Sequence, residues 1–319
     1  MLMRTSMLVG YTGFVGSNIA QKYEFTWKIN SKNKEESYGK NPDILIYAGL
    51  RAEKFLANKD PEADRQTIID ALEQIKKINP KKLVLISTVD VYKTPVNVDE
   101  DTPIDTEGLL PYGANRYELE KLVREIWKDA LIIRLPGLFG KNLKKNFIYD
   151  YIHVIPAMLK EEKYLELSGE SNLIKDSYTR LDNGFYKCVV TDNASESQKE
   201  QPTAELLKQE FKRLGFSALN FTDSRGIFQF YNLQNLWSDI NTALENDIYL
   251  LNIATEPVSV AEIYKKLNGG EFKNEILENP PLYDYRSKHS EVFGGKNGYF
   301  ADKESVLDDI VEFVKQYEN

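Results

Sequence analysis

The stretch SMLVGYTGFVGSNIA, residues 6–20, decides the fold. An apolar run typical of a β-strand leads into Gly10, Gly13 and Gly16, and a helix-period segment follows from about residue 14 to residue 23. Gly10 permits a tight turn, Gly13 lets the backbone approach a pyrophosphate, and Gly16 lets the helix pack closely on the strand. The helix N-terminus then faces the anion. A glycine turn that binds nothing is the alternative, but the strand–turn–helix context favours dinucleotide binding.

The first half of the chain alternates strand-like and helix-like segments. Ile68, Leu72 and Ile75 are spaced for one face of a helix, and the intervening apolar runs suit buried strands. This alternation is typical of an α/β fold with a doubly wound parallel sheet, the Rossmann fold. The predicted strands are 6–10, 25–29, 43–49, 82–88 and 130–135, and the predicted helices are 14–23, 60–78 and 113–128.

The pattern loosens after about residue 150. Residues 248–254 predict a late strand that returns to the sheet, and residues 303–316 predict an amphipathic closing helix. The polar stretch TDNASESQKEQP, residues 191–202, predicts a loop. We therefore expect two units. The dinucleotide-binding Rossmann domain takes residues 1–167 and 226–255, and a smaller α+β substrate-binding lobe takes residues 168–225 and 256–319.

Composition excludes several classes of function. The net charge of −8 disfavours nucleic acid as a partner. The single cysteine, Cys188, excludes an internal disulfide and a cysteine-rich metal site, and the two histidines, His153 and His289, lie too far apart to suggest a metal site. No run approaches the roughly 18 apolar residues of a membrane helix, and the apolar N-terminus is interpreted as a strand rather than a signal peptide. We expect no membrane association and a cytoplasmic location.

The residues after the second predicted strand bear on the choice of coenzyme. A carboxylate at this point would hold the adenosine ribose and repel a 2′-phosphate. The sequence has Asn30, Ser31 and Lys32 instead. Neutral donors beside a lysine tolerate a 2′-phosphate, so NAD and NADP both remain open and NADP is slightly favoured. The alternative interpretation is that these three are plain loop residues without a role in coenzyme binding.

Three further stretches, together with the glycine motif, match the sequence pattern of a known family. They are LISTVDVY (85–92), YGANRYELEK (112–121) and RLPGLFG (134–140). Their order and spacing resemble the extended short-chain dehydrogenase/reductase superfamily, and within it the NAD-dependent epimerases and dehydratases that modify nucleotide sugars. The resemblance is specific from residue 7 to about residue 140 and diffuse afterwards.

The resemblance selects one of two tyrosines. Tyr112 is followed by glycine and has Glu120 at the family's glutamate position, whereas Tyr117 with Lys121 keeps only the four-letter spacing. Tyr112 is therefore the expected general acid/base, and its partner four residues later is Arg116, where the family has lysine.

The arginine has a physical consequence. A tyrosine that acts near neutral pH needs its pKa lowered from about 10 toward 7, roughly 4 kcal/mol of differential stabilisation. A guanidinium can supply that field, but its planar fork is larger than the lysine ammonium and differently aimed at the nicotinamide ribose. Either Arg116 works with shifted geometry, which we favour, or the protein binds cofactor and turns over poorly.

Other roles are implied by the resemblance alone. Thr88 would hydrogen-bond the reacting sugar oxygen, unless it is only a β-branched strand end. Asp90 lies where some dehydratases carry an acid/base residue, but those have an Asp-Glu pair and this chain has Val89 and Asp90, which demotes elimination and leaves a turn or capping role open. The expected cofactor-binding residues are Gly10, Thr12, Gly13, Phe14, Val15, Gly16, Asn30, Ser31, Ala48, Gly49, Ser87, Tyr112, Arg116 and Leu135.

On the substrate side, the resemblance implies that Asp90, Asn146, Arg225 and Arg286 contact a nucleotide-linked sugar, as arginine suits bidentate phosphate binding. It also implies an NAD(P)-dependent enzyme of polysaccharide biosynthesis that is a homodimer. The motifs leave epimerase and reductase open, because both share one hydride-transfer step. The alternative is an NAD(P)-binding protein of the same fold with little or no turnover and a regulatory or assembly role.

Overall fold

The computed structural model describes residues 5–190 and 203–317. The strands in these ranges are β1 (Ser6–Val9), β2 (Trp27–Ile29), β3 (Ile44–Tyr47), β4 (Lys82–Thr88), β5 (Leu131–Leu135), β6 (Gly137–Phe139), β7 (Met158–Lys160), β8 (Tyr178–Arg180), β9 (Phe185–Cys188), β10 (Ile227–Phe228), β11 (Phe230–Asn232), β12 (Leu250–Asn252) and β13 (Val258–Ser259). The α-helices are α1 (Phe14–Lys22), α2 (Lys54–Lys59), α3 (Pro61–Ile78), α4 (Pro111–Ile126), α5 (Phe147–His153), α6 (Glu161–Glu170), α7 (Asn172–Ser177), α8 (Ala204–Arg213), α9 (Leu236–Glu245), α10 (Val260–Asn268) and α11 (Lys303–Lys315).

Six strands form one central sheet in the order β12-β5-β4-β3-β1-β2. Every neighbouring pair in it is parallel. The predicted α/β fold with a doubly wound parallel sheet is confirmed. The late strand predicted within residues 248–254 is β12, which joins the far edge beside β5.

The sheet is buried on both faces because successive side chains of a strand point to opposite sides. In β3, Leu45 and Tyr47 belong to a core cluster that contains residues of α3 and α4. Ile44 and Ile46, from the same strand, belong to a second cluster that contains residues of α1 and α9. The apolar runs of the sequence therefore become strands covered by helices on both faces, as a parallel sheet requires.

A small sheet lies in the chain between β5 and β12, two strands of the central sheet. Strands β7, β9 and β8 form a small antiparallel sheet in that order. Its strands and helices α6 to α8 share a core cluster that includes Leu159, Tyr164, Ile174 and Phe211. The loop predicted at residues 191–202 lies outside the described residues.

The C-terminal helices complete the molecule. Helices α10 and α11 pack with β6 and α5 in a further core cluster. Helix α11 confirms the closing helix predicted for residues 303–316. Across the described ranges, every helix is too short or too polar to cross a bilayer.

Candidate functional site

The glycine turn between β1 and α1 has the geometry that its three glycines allow. Gly10 has φ +87°, and a Cβ there would lie 2.3 Å from the carbonyl oxygen of Ala48. A Cβ on Gly16 would lie 2.2 Å from the carbonyl oxygen of Gly10, so helix and turn touch at this point. Gly13 is the N-cap residue of α1 and is exposed, and no side chain caps the helix. The first backbone N–H groups of α1 therefore remain available to an anion.

Among the other residues predicted for the dinucleotide, Thr12 and Gly49 are exposed, while Phe14, Val15 and Ala48 are half-buried. Leu135, at the end of β5, is buried in the core. The open turn, the exposed helix end and the small residues after β3 fit an NAD(P) molecule.

The segment after β2 forms a local turn. The side-chain oxygen of Asn30 accepts a hydrogen bond from the backbone N–H of Lys32 at 2.8 Å, and the backbone N–H of Asn30 donates to Asn33. The side chains of Ser31 and Lys32 are exposed. This edge of the sheet thus presents a hydroxyl and an ammonium to solvent.

Tyr112 lies in the first turn of α4, directly after Pro111 at the first helical position. Its backbone N–H donates to the side-chain oxygen of Asn58 at 2.9 Å. A Cβ on Gly113 would lie 2.0 Å from the carbonyl oxygen of Asp90. The glycine that follows the tyrosine therefore lets α4 approach the end of β4, and this brings Tyr112 beside Thr88.

Arg116 is held inside the protein. Its guanidinium donates to both carboxylate oxygens of Asp64, at 3.0 and 3.1 Å, and to the carbonyl oxygen of Arg51 at 2.9 Å. The side chain is 4% exposed. The guanidinium carbon also lies 4.7 Å from the centre of the Tyr112 ring. The guanidinium therefore makes a cation–π contact with the Tyr112 ring and an ion pair with the Asp64 carboxylate.

Burial is the largest influence on the Tyr112 phenol and raises its pKa. The charges of Arg116 and Lys54 lower the pKa, as does a hydrogen bond from Thr88, whereas the charge of Asp90 raises it. The net pKa of Tyr112 lies above the usual 10. This differs from the shift toward neutrality that we expected from the sequence. The physical reason is that a phenolate at this position loses water, while the nearest cation is already paired with Asp64.

Three residues that are far apart in the sequence meet next to Tyr112. Lys54 Nζ donates to Asp90 Oδ1 at 2.8 Å and to the Tyr283 hydroxyl at 3.3 Å, and that hydroxyl donates to Asp90 Oδ1 at 2.9 Å. Among these contacts, only the position of Asp90 was anticipated. Lys54 and Tyr283 were missed because neither belongs to a motif, and only the fold brings α2 and the segment near residue 283 to the end of β4.

A buried network fixes α4 on the sheet. The Glu120 carboxylate accepts two hydrogen bonds from Arg134 Nε and one from its Nη2, the last at 2.6 Å, and a further one from the Ser87 hydroxyl at 2.5 Å. Arg134 Nη1 also donates to the Tyr92 hydroxyl at 2.8 Å. Ser87 was predicted to bind the cofactor, and its hydroxyl contacts Glu120 here. The glutamate that identified the motif thus aligns the helix that carries Tyr112.

Besides Asp90, the predicted substrate residues lie in three separate environments. Asn146 caps α5 by accepting from the Tyr149 backbone N–H at 3.1 Å. Arg225 pairs with the buried carboxylate of Asp223. Arg286 pairs with Asp284 and lies over the Tyr299 ring, 4.1 Å from its centre. Their contacts with a substrate stay predictions, since each side chain has a partner within the protein.

In the part of the chain that the structure describes, no group of three or more His, Cys, Asp or Glu residues is placed to hold a metal ion.

The parallel sheet, the glycine turn and the threonine and tyrosine beside the end of β4 define a Rossmann-fold protein with a dinucleotide cleft. Comparison with known proteins then narrows the class.

The model of the NAD dependent epimerase/dehydratase family matches residues 28–171. Two curated enzymes of Pisum sativum, a UDP-glucose 4-epimerase and a bifunctional UDP-glucose and UDP-xylose 4-epimerase, are each 30% identical over 122 residues. That match covers 36% of this chain and 35% of each pea enzyme, so only about a third of those relatives' length is represented.

Solved structures share the fold over nearly the whole chain. A dTDP-4-dehydrorhamnose reductase from Bacillus anthracis, in complex with NADP, has a TM-score of 0.62 at 15% identity and covers 99% of both chains. A UDP-galactose 4-epimerase has a TM-score of 0.60 at 13% identity, with 98% of this chain and 99% of the other covered. The family model, which matches residues 28–171, and the shared fold support the resemblance of this chain to the extended short-chain dehydrogenase/reductase superfamily.

Proposed function

We propose that this protein is an NAD(P)-dependent enzyme that transfers a hydride at a ring carbon of a nucleotide-linked sugar, with Tyr112 as the proton-transferring residue. The observation that carries the proposal is the position of Tyr112. It lies beside Thr88, in the first turn of a helix that Glu120 and Arg134 fix on the sheet. The family model and the neighbours, which are nucleotide-sugar epimerases and reductases, support the substrate class.

The coenzyme supplies or accepts the hydride when it is bound. Thr88 donates a hydrogen bond that aligns the reacting oxygen of the sugar. In the reducing direction, the Tyr112 phenol gives its proton to the carbonyl oxygen as the carbon receives the hydride, so a ketone becomes an alcohol and a phenolate remains. In the oxidising direction, the phenolate takes that proton back.

The protonation state of Tyr112 favours the reducing direction. Burial keeps the pKa of Tyr112 above its usual range, so the residue begins as a proton donor at neutral pH. A general acid is the group that reduction of a keto sugar needs. An epimerase uses the same residue first as a base on an alcohol and then as an acid on the keto intermediate. Reduction and epimerisation therefore share this step, and both are proposed as candidate reactions.

We propose NADP as the preferred coenzyme. Ser31 and Lys32 are exposed after β2, and residues 30–34 contain no carboxylate that would repel a 2′-phosphate. The structural neighbours include a complex with NADP and another, a UDP-glucuronic acid 4-epimerase variant from Bacillus cereus, with NAD.

A second candidate function is a cofactor-binding protein with little or no turnover. The pairing of Arg116 with Asp64 favours it, because the cation that should assist Tyr112 is shared with a carboxylate. Under this alternative the protein binds NADPH and a regulatory or assembly partner, and the sugar site is vestigial.

A homodimer, a cytoplasmic location and a role in polysaccharide biosynthesis stay predictions, as does the division into two domains. Pairing through α3 and α4 would cover the Arg65–Glu118 ion pair, whose two side chains are 49% and 28% exposed. Such an interface would be polar at that point.

The decisive experiment combines coenzyme titration with turnover of nucleotide 4-keto sugars. We expect saturable NADPH binding, consumption of NADPH with a keto sugar, and loss of that consumption in Tyr112→Phe with coenzyme binding unchanged. Tyr117→Phe is the matched control and should keep its activity. Binding of NADPH without turnover of any keto sugar would favour the second candidate, and absence of binding would refute both.

A further inference from the structure

We propose that Lys54 is the active-site cation that contacts the sugar, with Asp90 and Tyr283 as the residues that position it. This proposal rests on the proposed function and assigns to Lys54 the hydrogen bond to the sugar oxygen that gains negative charge during reduction. Lys54 transfers no proton: the proton comes from Tyr112 and the hydride from the coenzyme.

The first argument concerns Arg116, which cannot take this role. Its side chain is 4% exposed, its guanidinium donates to Asp64 and to the Arg51 carbonyl oxygen, and the guanidinium lies over the Tyr112 ring. To reach a substrate it would have to give up both hydrogen bonds to the largely buried Asp64 carboxylate and the one to the Arg51 carbonyl oxygen, which is costly. The cation encoded at the family's lysine position is therefore part of the protein interior.

The second argument is the placement of Lys54. Its side chain is 42% exposed, so Lys54 is accessible from solvent. The ammonium has three N–H donors. One contacts Asp90 and one contacts the Tyr283 hydroxyl, which leaves the third for an incoming acceptor. Lys54 is also close enough to Tyr112 for its charge to lower the pKa of the phenol, so the same ammonium acts where the reaction takes place.

The third argument is the way in which the ammonium is held. Asp90 Oδ1 accepts from both Lys54 and Tyr283, so the three groups close a triangle of hydrogen bonds. Tyr283 is fixed in turn, since its ring stacks on Phe228 with centroids 5.8 Å apart. A long flexible side chain is thereby restricted before the substrate arrives, which lowers the entropy lost on binding.

The triangle also joins the two parts of the molecule that a nucleotide sugar must contact. Lys54 and Asp90 follow strands β3 and β4 of the central sheet, whereas Tyr283 lies in the C-terminal part of the chain. The neighbouring backbone secures that segment, because Asp284 N–H donates to the carbonyl oxygen of Pro95 at 2.8 Å. The sugar therefore meets Lys54 where the sheet and the C-terminal part face each other.

The test compares Lys54→Met with Lys59→Met, a change at an exposed lysine of the same helix. For Lys54→Met we expect kcat with a nucleotide 4-keto sugar to fall by about 10²-fold, the magnitude typical of losing one donor to a developing oxyanion. NADPH affinity and the melting temperature should stay unchanged in both variants. Lys59→Met should keep full activity.

Chemical rescue separates a catalytic role from a structural one. Lys54→Cys in a Cys188→Ser background, treated with 2-bromoethylamine, regains an ammonium at nearly the original length. Restored kcat in this protein, but not in the untreated one, supports the proposal. Equal kcat in Lys54→Met and wild type overturns the role of Lys54 and leaves the proposed function intact. A wild-type protein that binds NADPH but neither binds nor reduces any nucleotide sugar overturns the proposed function, and the role of Lys54 with it.

Discussion

Arg116 binds both carboxylate oxygens of Asp64, at 3.0 and 3.1 Å, across the interface between α3 and α4. The sequence resemblance aligns Arg116 with a lysine that assists the tyrosine of that superfamily. A bidentate contact of this kind uses the planar fork of arginine and cannot be copied by an ammonium. The arginine thus makes a contact between two helices, and its predicted contact with the coenzyme stays a prediction.

The first prediction concerns that pair. Asp64→Asn should lower the free energy of unfolding by about 3–5 kcal/mol, because it leaves the buried Arg116 charge without its carboxylate. Urea denaturation measures the change. Asp70→Asn, an exposed position on the same helix, should change stability by less than about 0.5 kcal/mol. Equal stability of the two variants would mean that Arg116 is satisfied elsewhere.

The glycine turn gives the second prediction. Gly13→Ala should fold, since an added Cβ would have only the carbonyl oxygen of Gly10 within 4 Å, at 3.2 Å. The methyl group would still occupy the space that a pyrophosphate needs, so NADPH affinity should fall roughly tenfold or more, equivalent to about 1.4 kcal/mol. Fluorescence titration measures the affinity. Gly169→Ala, where a Cβ meets nothing within 4 Å, is the control and should bind normally.

Lys32 provides the third prediction. Lys32→Glu replaces an exposed cation after β2 with an anion, which should repel a 2′-phosphate and weaken NADPH binding by roughly tenfold. NADH binding should be retained, because it has no 2′-phosphate. Isothermal titration with both coenzymes gives the ratio of affinities, and Lys212→Glu, at an exposed position on α8, serves as the control. An equal loss for NADH and NADPH would exclude a 2′-phosphate contact.

The fourth prediction uses Asp150, on α5. Burial raises the pKa of Asp150 to about 7. A carboxyl with a raised pKa binds its proton more tightly in the folded state, so its contribution to stability is complete below about pH 4 and is lost as the pH rises to about 7. Above that pH, Asp150→Asn should therefore be more stable than wild type by up to about 4 kcal/mol, since each pKa unit is worth about 1.4 kcal/mol.

Urea unfolding of both proteins between pH 4 and pH 8 measures this difference, and the gap should open only as the pH increases. Asp176→Asn, an exposed position on α7, should run parallel to wild type across the range. A gap that is already present at pH 4 would show that the amide acts through contacts rather than through the loss of a charge.

The sequence alone was sufficient for the features that depend on local order. Gly10, Gly13 and Gly16 stand in one turn, so their spacing fixes which backbone conformations and close approaches are allowed there. The apolar runs and helix-period segments predicted the parallel sheet, because burial on both faces leaves a signature in consecutive residues. Strand β4 was predicted with the bounds that the structure has, Lys82–Thr88.

Only the tertiary structure decided how charge is arranged around Tyr112. Arg116 and Asp64 are 52 residues apart, Lys54 and Asp90 are 36 apart, and Tyr283 and Asp90 are 193 apart. A sequence pattern records the spacing of neighbours along a helix or strand, but an ion pair between elements depends on how those elements pack. For this reason the sequence could offer a cation four residues after the tyrosine, and the fold alone determined that this cation is already bound to a carboxylate.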